Sequence, residues 1–198
     1  MAIKFQYNKT TIQELRKQLS IRQKALPILQ NKETALRKEV KDRQNQLLKI
    51  EKQKEELMSK IREQKGLWKE FPRILFIENA DIVQEKIIGV KVPALKDIDF
   101  KLADFSWWHY PAWLPTGIKI LQKALIFDIT SDLLKKQIDI LDEARKKTTQ
   151  KVNLYEKVQI PEMDEAILKI KRFLEDKENI SKAGQKIMKK RQERREEA

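Results

Sequence analysis

Side chains suited to chemistry are thinly spread along this chain. It holds one histidine, His109, and no cysteine, so neither a His/Cys metal cluster nor a His-based nucleophile and base can be assembled from the usual parts. His109 reads as structural. The adjacent carboxylates Glu55-Glu56 and Asp142-Glu143 could in principle share an acid and base task. They stand among lysines and arginines on strongly charged stretches, however, where solvated carboxylates are expected to titrate normally. Gly66, Gly89, Gly117 and Gly184 stand alone, without the glycine-rich run and following Lys-Ser or Lys-Thr that cradle a phosphate. No catalytic, cofactor-binding or metal-ligating residue is assigned.

With chemistry set aside, composition points to helices. Of 198 residues, 37% are charged and only 4 are glycine, while 40% are hydrophobic. Apolar residues diluted by so much charge suit a narrow seam between helices better than a thick core. Absence of cysteine is compatible with a reducing compartment, and a cytoplasmic location is the expectation. Residues 1–20 mix Lys4, Lys9, Glu14, Arg16 and Lys17 with isolated apolar residues and show no signal-peptide core. The longest uncharged run, 105–118, contains Pro111 and Pro115 and is too short to span a bilayer. Direct membrane insertion is therefore not expected.

The net charge of +13 is unevenly placed, with 16 Lys or Arg against 8 Asp or Glu in residues 9–65 and 7 against 3 in residues 182–198. Such ends favour acidic surfaces without choosing among nucleic acid, lipid and protein. The tail KKRQERREEA has no interleaved aromatics for stacking on bases and carries Glu193, Glu196 and Glu197, which argues against nucleic acid as the partner.

Thr11 and Glu14 fit a capping box and predict a helix start near Thr11. From Ile12 to Trp68 a heptad places 12 apolar residues at its 17 a and d positions, against about seven expected from composition alone. The seam reads Leu15, Leu19, Leu26, Leu29, Leu36, Val40, Leu47, Ile50, Leu57 and Ile61, interrupted by Arg22, Glu33, Arg43, Lys54 and Gln64. Pro27 lies inside this pattern. Because the periodicity continues in phase beyond it, a kink is expected there, not an end.

Four parts follow: an N-terminal arm, 1–66; a middle region, 67–117; a returning arm, 118–181; and a basic tail, 182–198, read as frayed and solvated. Phe71-Pro72 breaks the first helix. Alternation and β-branched residues then predict a hairpin over 82–102, with Pro93-Ala94 between its strands. That hairpin is expected to contribute little to the helix seam. The cluster FSWWHYPAWLPTG, 105–117, reads either as a small local core or as a docking knob. The returning arm carries Val152, Tyr155, Met163, Ile167, Ile170 and Leu174 along one helical face. Level pairing of antiparallel arms sets Pro27 opposite position 159, near Pro161. The fold class is thus all-α dominated, a long antiparallel two-helix coiled coil with a small hairpin-containing middle region.

One stretch is specific. Thr148, Lys151-Val152-Asn153, Tyr155-Glu156 and Ile160-Pro161 resemble the T-x-x-(R/K)-V-N-x-(L/F)-E-x-x-x-I-P run of the D subunit of V/A-type ATPases. The close resemblance covers about 35 residues, and the helix, hairpin, helix order extends it. Only Lys32 falls in place of the basic motif usual in the first arm, and Trp107-Trp108-His109 has no counterpart in the pattern.

The resemblance implies a non-catalytic central rotor stalk, peripheral to the membrane through its complex. Its termini would enter the hexamer of catalytic A and B subunits, and the F subunit would clasp it laterally. The socket protein, C or d, would join it to the ion-carrying ring. A basic coiled-coil protein binding nucleic acid is the alternative, separable by retention on DNA over a salt series.

Overall fold

The computed structural model describes residues 5–103 and 112–196. Its elements, in order, are α1 (Lys9–Glu63), α2 (Lys65–Lys69), β1 (Leu75–Ile87), β2 (Val90–Leu102), α3 (Leu114–Leu154), a π turn (Tyr155–Gln159) and α4 (Ile160–Glu196). The fold is helix-dominated with one antiparallel hairpin in the middle. Its packing separates two compact units, residues 32–147 and the two end segments 1–31 with 148–198.

In the unit formed by the ends, α1 begins at Lys9, two residues before Thr11. Asn8 is the cap, its Oδ1 accepting the Thr11 amide at 2.6 Å. A short side-chain amide is among the best acceptors for such an amide, and Thr11 falls in the first turn. The helix runs on through Pro27. Leu15 packs with Met163, Ala166 and Ile170, flanked by Phe5, Ile12, Leu19, Ile167 and Leu174. Low numbers on α1 meet high numbers on α4, so the two run antiparallel. The segment before α1 folds back, setting the Tyr7 ring 4.7 Å from that of Phe173.

Past Leu174 the residues of α4 are exposed, Ile180, Ile187 and Met188 among them. The tail stays helical to Glu196, where fraying was expected. It lacks proline, and ion pairs such as Glu178 with Lys182 at 2.8 Å support it along its surface.

In the unit formed by residues 32–147, α1 is again antiparallel to the returning helix. Lys54 Nζ lies 2.5 Å from Asp128 Oδ1 and Lys135 Nζ lies 3.4 Å from Glu51 Oε1. Leu36, Val40 and Leu141 are buried together with Val92 of β2. A second cluster, Ile74, Leu114 and Ile118 with Phe71, Leu75 and Ala103, closes the base of the hairpin. Beside it the rings of Trp68, Phe71 and Trp113 lie within 5.5–5.9 Å of one another, a local core at the base. Residues 104–111, with Trp107, Trp108 and His109, lie outside the described residues.

The hairpin is longer than its sequence suggested and turns elsewhere. Its strands pair from Leu75 with Leu102 to Ile87 with Val90, with register shifts between Ile77 and Asn79 and between Asp81 and Ile82. Those irregularities break the strict alternation by which the first half of β1 would have been recognised. The turn is Ile88-Gly89, both at positive φ, 51° and 78°, as a two-residue hairpin turn of the primed type demands. Pro93 instead sits inside β2, opposite Gln84. Its carbonyl accepts a hydrogen bond from Gln137 Nε2 at 2.6 Å, so this strand edge faces α3. The expectation that the hairpin adds little to the helices fails at Val92, which is completely buried among Leu36, Val40 and Leu141.

Candidate functional site

The motif stretch splits between two faces of the returning helix. Thr148 and Val152 are buried, Tyr155 and Ile160 are half-buried, and Lys151, Asn153, Glu156 and Pro161 are exposed. A helix repeating every 3.6 residues turns Thr148, Val152 and Tyr155 to one side. Around the rest of the helix Lys151, Asn153 and Glu156 are exposed, and Leu154 is 43% exposed.

Between the two faces lies a feature that the residues did not announce. Tyr155–Gln159 forms a π turn, closed by the Ile160 amide donating to the Tyr155 carbonyl. Inserted turns of this kind are rare and gather at functional positions. Pro161 stands directly after it, and a proline has no amide to give and crowds the preceding carbonyls.

Arg22, a polar interruption of the heptad, reaches this turn. Its Nε donates to Gln159 Oε1 at 2.6 Å, its Nη1 lies 3.7 Å from Met163 Sδ, and its guanidinium carbon stands 5.9 Å from the Tyr155 ring centroid. Ala25, Ile28 and Leu29 line a groove with Lys151, Leu154 and Tyr155. Since Arg22 is level with Gln159, Pro27 lies opposite the Leu154–Tyr155 start of the turn. By that count Pro27 stands one residue before the π turn, about 10 Å along the axis from Pro161.

Most other polar interruptions of the first arm have partners too. Arg37 pairs with Glu33 at 2.7 Å, Arg43 with Glu39 at 2.9 Å, and Lys54 with Asp128 across to α3. Gln64 is exposed. The hydrogen bond to Asp128, with its charge, raises the Lys54 pKa above its ordinary value. Of the seam residues, Leu15, Leu36, Val40, Met163 and Ile170 are buried, and Leu19, Leu26, Leu29, Leu47, Ile50, Leu57, Ile61, Ile167 and Leu174 are half-buried.

Asp142 and Glu143 depart from the normal titration expected of them. Hydrogen bonds from Lys146 and Arg145 pull the Asp142 carboxyl below its ordinary value. One from Lys147 does the same for Glu143. These shifts favour the charged carboxylate, the opposite of what a proton donor at neutral pH needs. Among the described residues no group of three or more His, Asp or Glu is placed to hold a metal ion, and no helix is long and apolar enough to cross a membrane. The geometry is that of side chains that hold helices in register and leave a polar face outward.

Residues 11–190 match the family of the ATP synthase D subunit. The chain belongs to that family. The V-type ATP synthase D subunit of Borreliella burgdorferi is 31% identical over 191 residues, covering 94% of each chain. Its namesake in Chlamydia felis is 35% identical over 124 residues, covering 62% of this chain and 59% of that one. That of Chlamydia pneumoniae is 31% identical over 115 residues, covering 58% of this chain and 54% of that one. Family membership makes the chain a component of a V-type ATP synthase.

The sequence reading missed Arg22, Gln159 and Gln137. For Arg22 there was a signal, since a charge at a d position must find a partner or solvent. For Gln159 and Gln137 there was none, because a glutamine in a charged helix reads as surface.

Proposed function

We propose that this chain is the rotor shaft of a V-type ATP synthase, a non-catalytic component that carries torque between a catalytic A/B hexamer and a membrane ion-translocating ring. Family membership supplies the complex. The observation that carries the mechanical role is the pairing of α1 against an antiparallel helix in each compact unit, by an apolar seam and by cross-helix bonds such as Arg22 with Gln159 and Lys54 with Asp128. Two helices locked side by side resist bending and twisting more than one.

Around the seam most charges are exposed and hydrated, worth little as fixed contacts, which suits a shaft that turns in a socket without sticking. The exposed motif residues Lys151, Asn153 and Glu156 and the exposed end of α4 are the surfaces this reading gives to neighbours. The neighbours are the A and B subunits around the termini, the F subunit at the side, and the C or d socket toward the membrane. No bilayer insertion is involved, and the location is peripheral on the cytoplasmic side.

Co-purification tests the reading. A tagged chain drawn from detergent-solubilised membranes should bring A, B and F subunits with it in fixed ratio. Recovery of the chain alone, with an intact hexamer left behind, would sink it. Single-molecule imaging of a bead fixed to this chain should then show stepwise turning driven by ATP.

A further inference from the structure

The hairpin is tied down at two ends by different means. At its base, Leu75 and Ala103 join Ile74, Leu114 and Ile118, and the Ala103 amide donates to the Ile74 carbonyl at 2.8 Å. At its tip, Ile87, Ile88 and Val90 pack on Leu36, Val40 and Leu141 with Val92. Between these anchors Phe76, Ile77, Ile82 and Val83 of β1 are exposed, while Pro93, Ala94, Leu95, Ile98 and Phe100 of β2 are half-buried. The strand pair is thus a strap running between two attachments.

The tip attachment works against its own turn. Ile88 holds φ of 51°, a left-handed conformation that a β-branched side chain strongly disfavours. Asparagine or glycine would form this turn without strain. Isoleucine here satisfies the helices and not the turn, because its side chain joins the cluster on α1 and α3. Docking and turn geometry therefore oppose each other at one residue, whereas nothing comparable burdens the described residues of the base.

We infer that the hairpin is a latch whose tip releases from α1 and α3 while its base stays closed. In the released state the turn relaxes and Leu36, Val40 and Leu141 are uncovered. In the closed state they are covered and Gln137 holds the Pro93 carbonyl. Local opening of this kind is expected where a few buried contacts carry a segment that otherwise keeps one strand, here β1, largely solvated. The latch does not depend on the rotor reading, since every residue in it belongs to one compact unit of this chain.

The chain has no cysteine, so a single introduced thiol reports its own burial. Val40→Cys places it under the tip, and Ile74→Cys places one in the base cluster. In the full-length protein, maleimide should label position 40 at least about ten-fold faster than position 74 under native conditions. Ile88→Asn, which suits the turn but not the helices, should speed labelling at 40 several-fold and leave 74 unchanged.

Equal rates at 40 and 74, both following global unfolding in urea, would overturn the latch. So would immediate reaction at 40, as of an exposed thiol. Val92→Cys, on the hairpin side of the same cluster, gives an independent reporter should Val40→Cys fold poorly, and the same comparisons apply.

Discussion

Arg22 and Gln159, 137 positions apart, are joined by a hydrogen bond of 2.6 Å from the guanidinium Nε to the side-chain carbonyl oxygen. The bond ties a charged interruption of the α1 seam to the last residue of the π turn. A double-mutant cycle on Arg22→Ala and Gln159→Ala should give a coupling of about 0.5–3 kcal/mol by urea denaturation, the range for side chains in direct hydrogen-bond contact. Additive losses would mean that the contact contributes nothing of its own.

Each compact unit contains a fully buried residue within an apolar cluster, Ile170 in one and Leu36 in the other. Truncation to alanine at either should cost about 2–5 kcal/mol. Hydrogen exchange should place the loss in different segments, within 32–147 for Leu36→Ala and in the two end segments for Ile170→Ala. Identical exchange maps for the two variants would show that the packing division has no energetic counterpart.

The Asp142 carboxyl is held below its ordinary pKa by Lys146 and Arg145. A depressed carboxylate contributes stability that is present above its unfolded value and lost as pH falls through the folded one. The stability advantage over Asp142→Asn should therefore persist at neutral pH and disappear as the pH is lowered below 3.8. For Lys54 the sign reverses. Its raised pKa gives stability present below 10.5 that fades at higher pH, and with Lys54 and Asp128 both more than a third exposed the effect should stay below about 1 kcal/mol.

Removing residues 182–198 deletes only exposed, helical residues of α4 among those described. The melting temperature should shift little, because no buried contact is lost. Under the proposed function the truncation should weaken assembly with the A/B hexamer, measured by co-elution. Undiminished assembly and undiminished ATP-driven ion pumping would remove the tail from that role.

Much of this protein was decided locally. A heptad of leucines and isoleucines, few glycines and a break at Phe71-Pro72 determine two long helices and a non-helical middle without reference to anything distant. The motif from Thr148 to Pro161 carried the family, that of the ATP synthase D subunit, which residues 11–190 match. Where strand and turn should fall was decided otherwise. Pro93-Ala94 looked like the turn because proline and small residues usually mark one. Ile88-Gly89 became the turn because burying Val92 and Ile88 against Leu36 and Leu141 fixes the register, and the turn conformation had to follow. The π turn and the bond from Arg22 to Gln159 have the same origin. They answer to what stands opposite on another helix, and a contact between residues 137 apart exists only once the chain has doubled back.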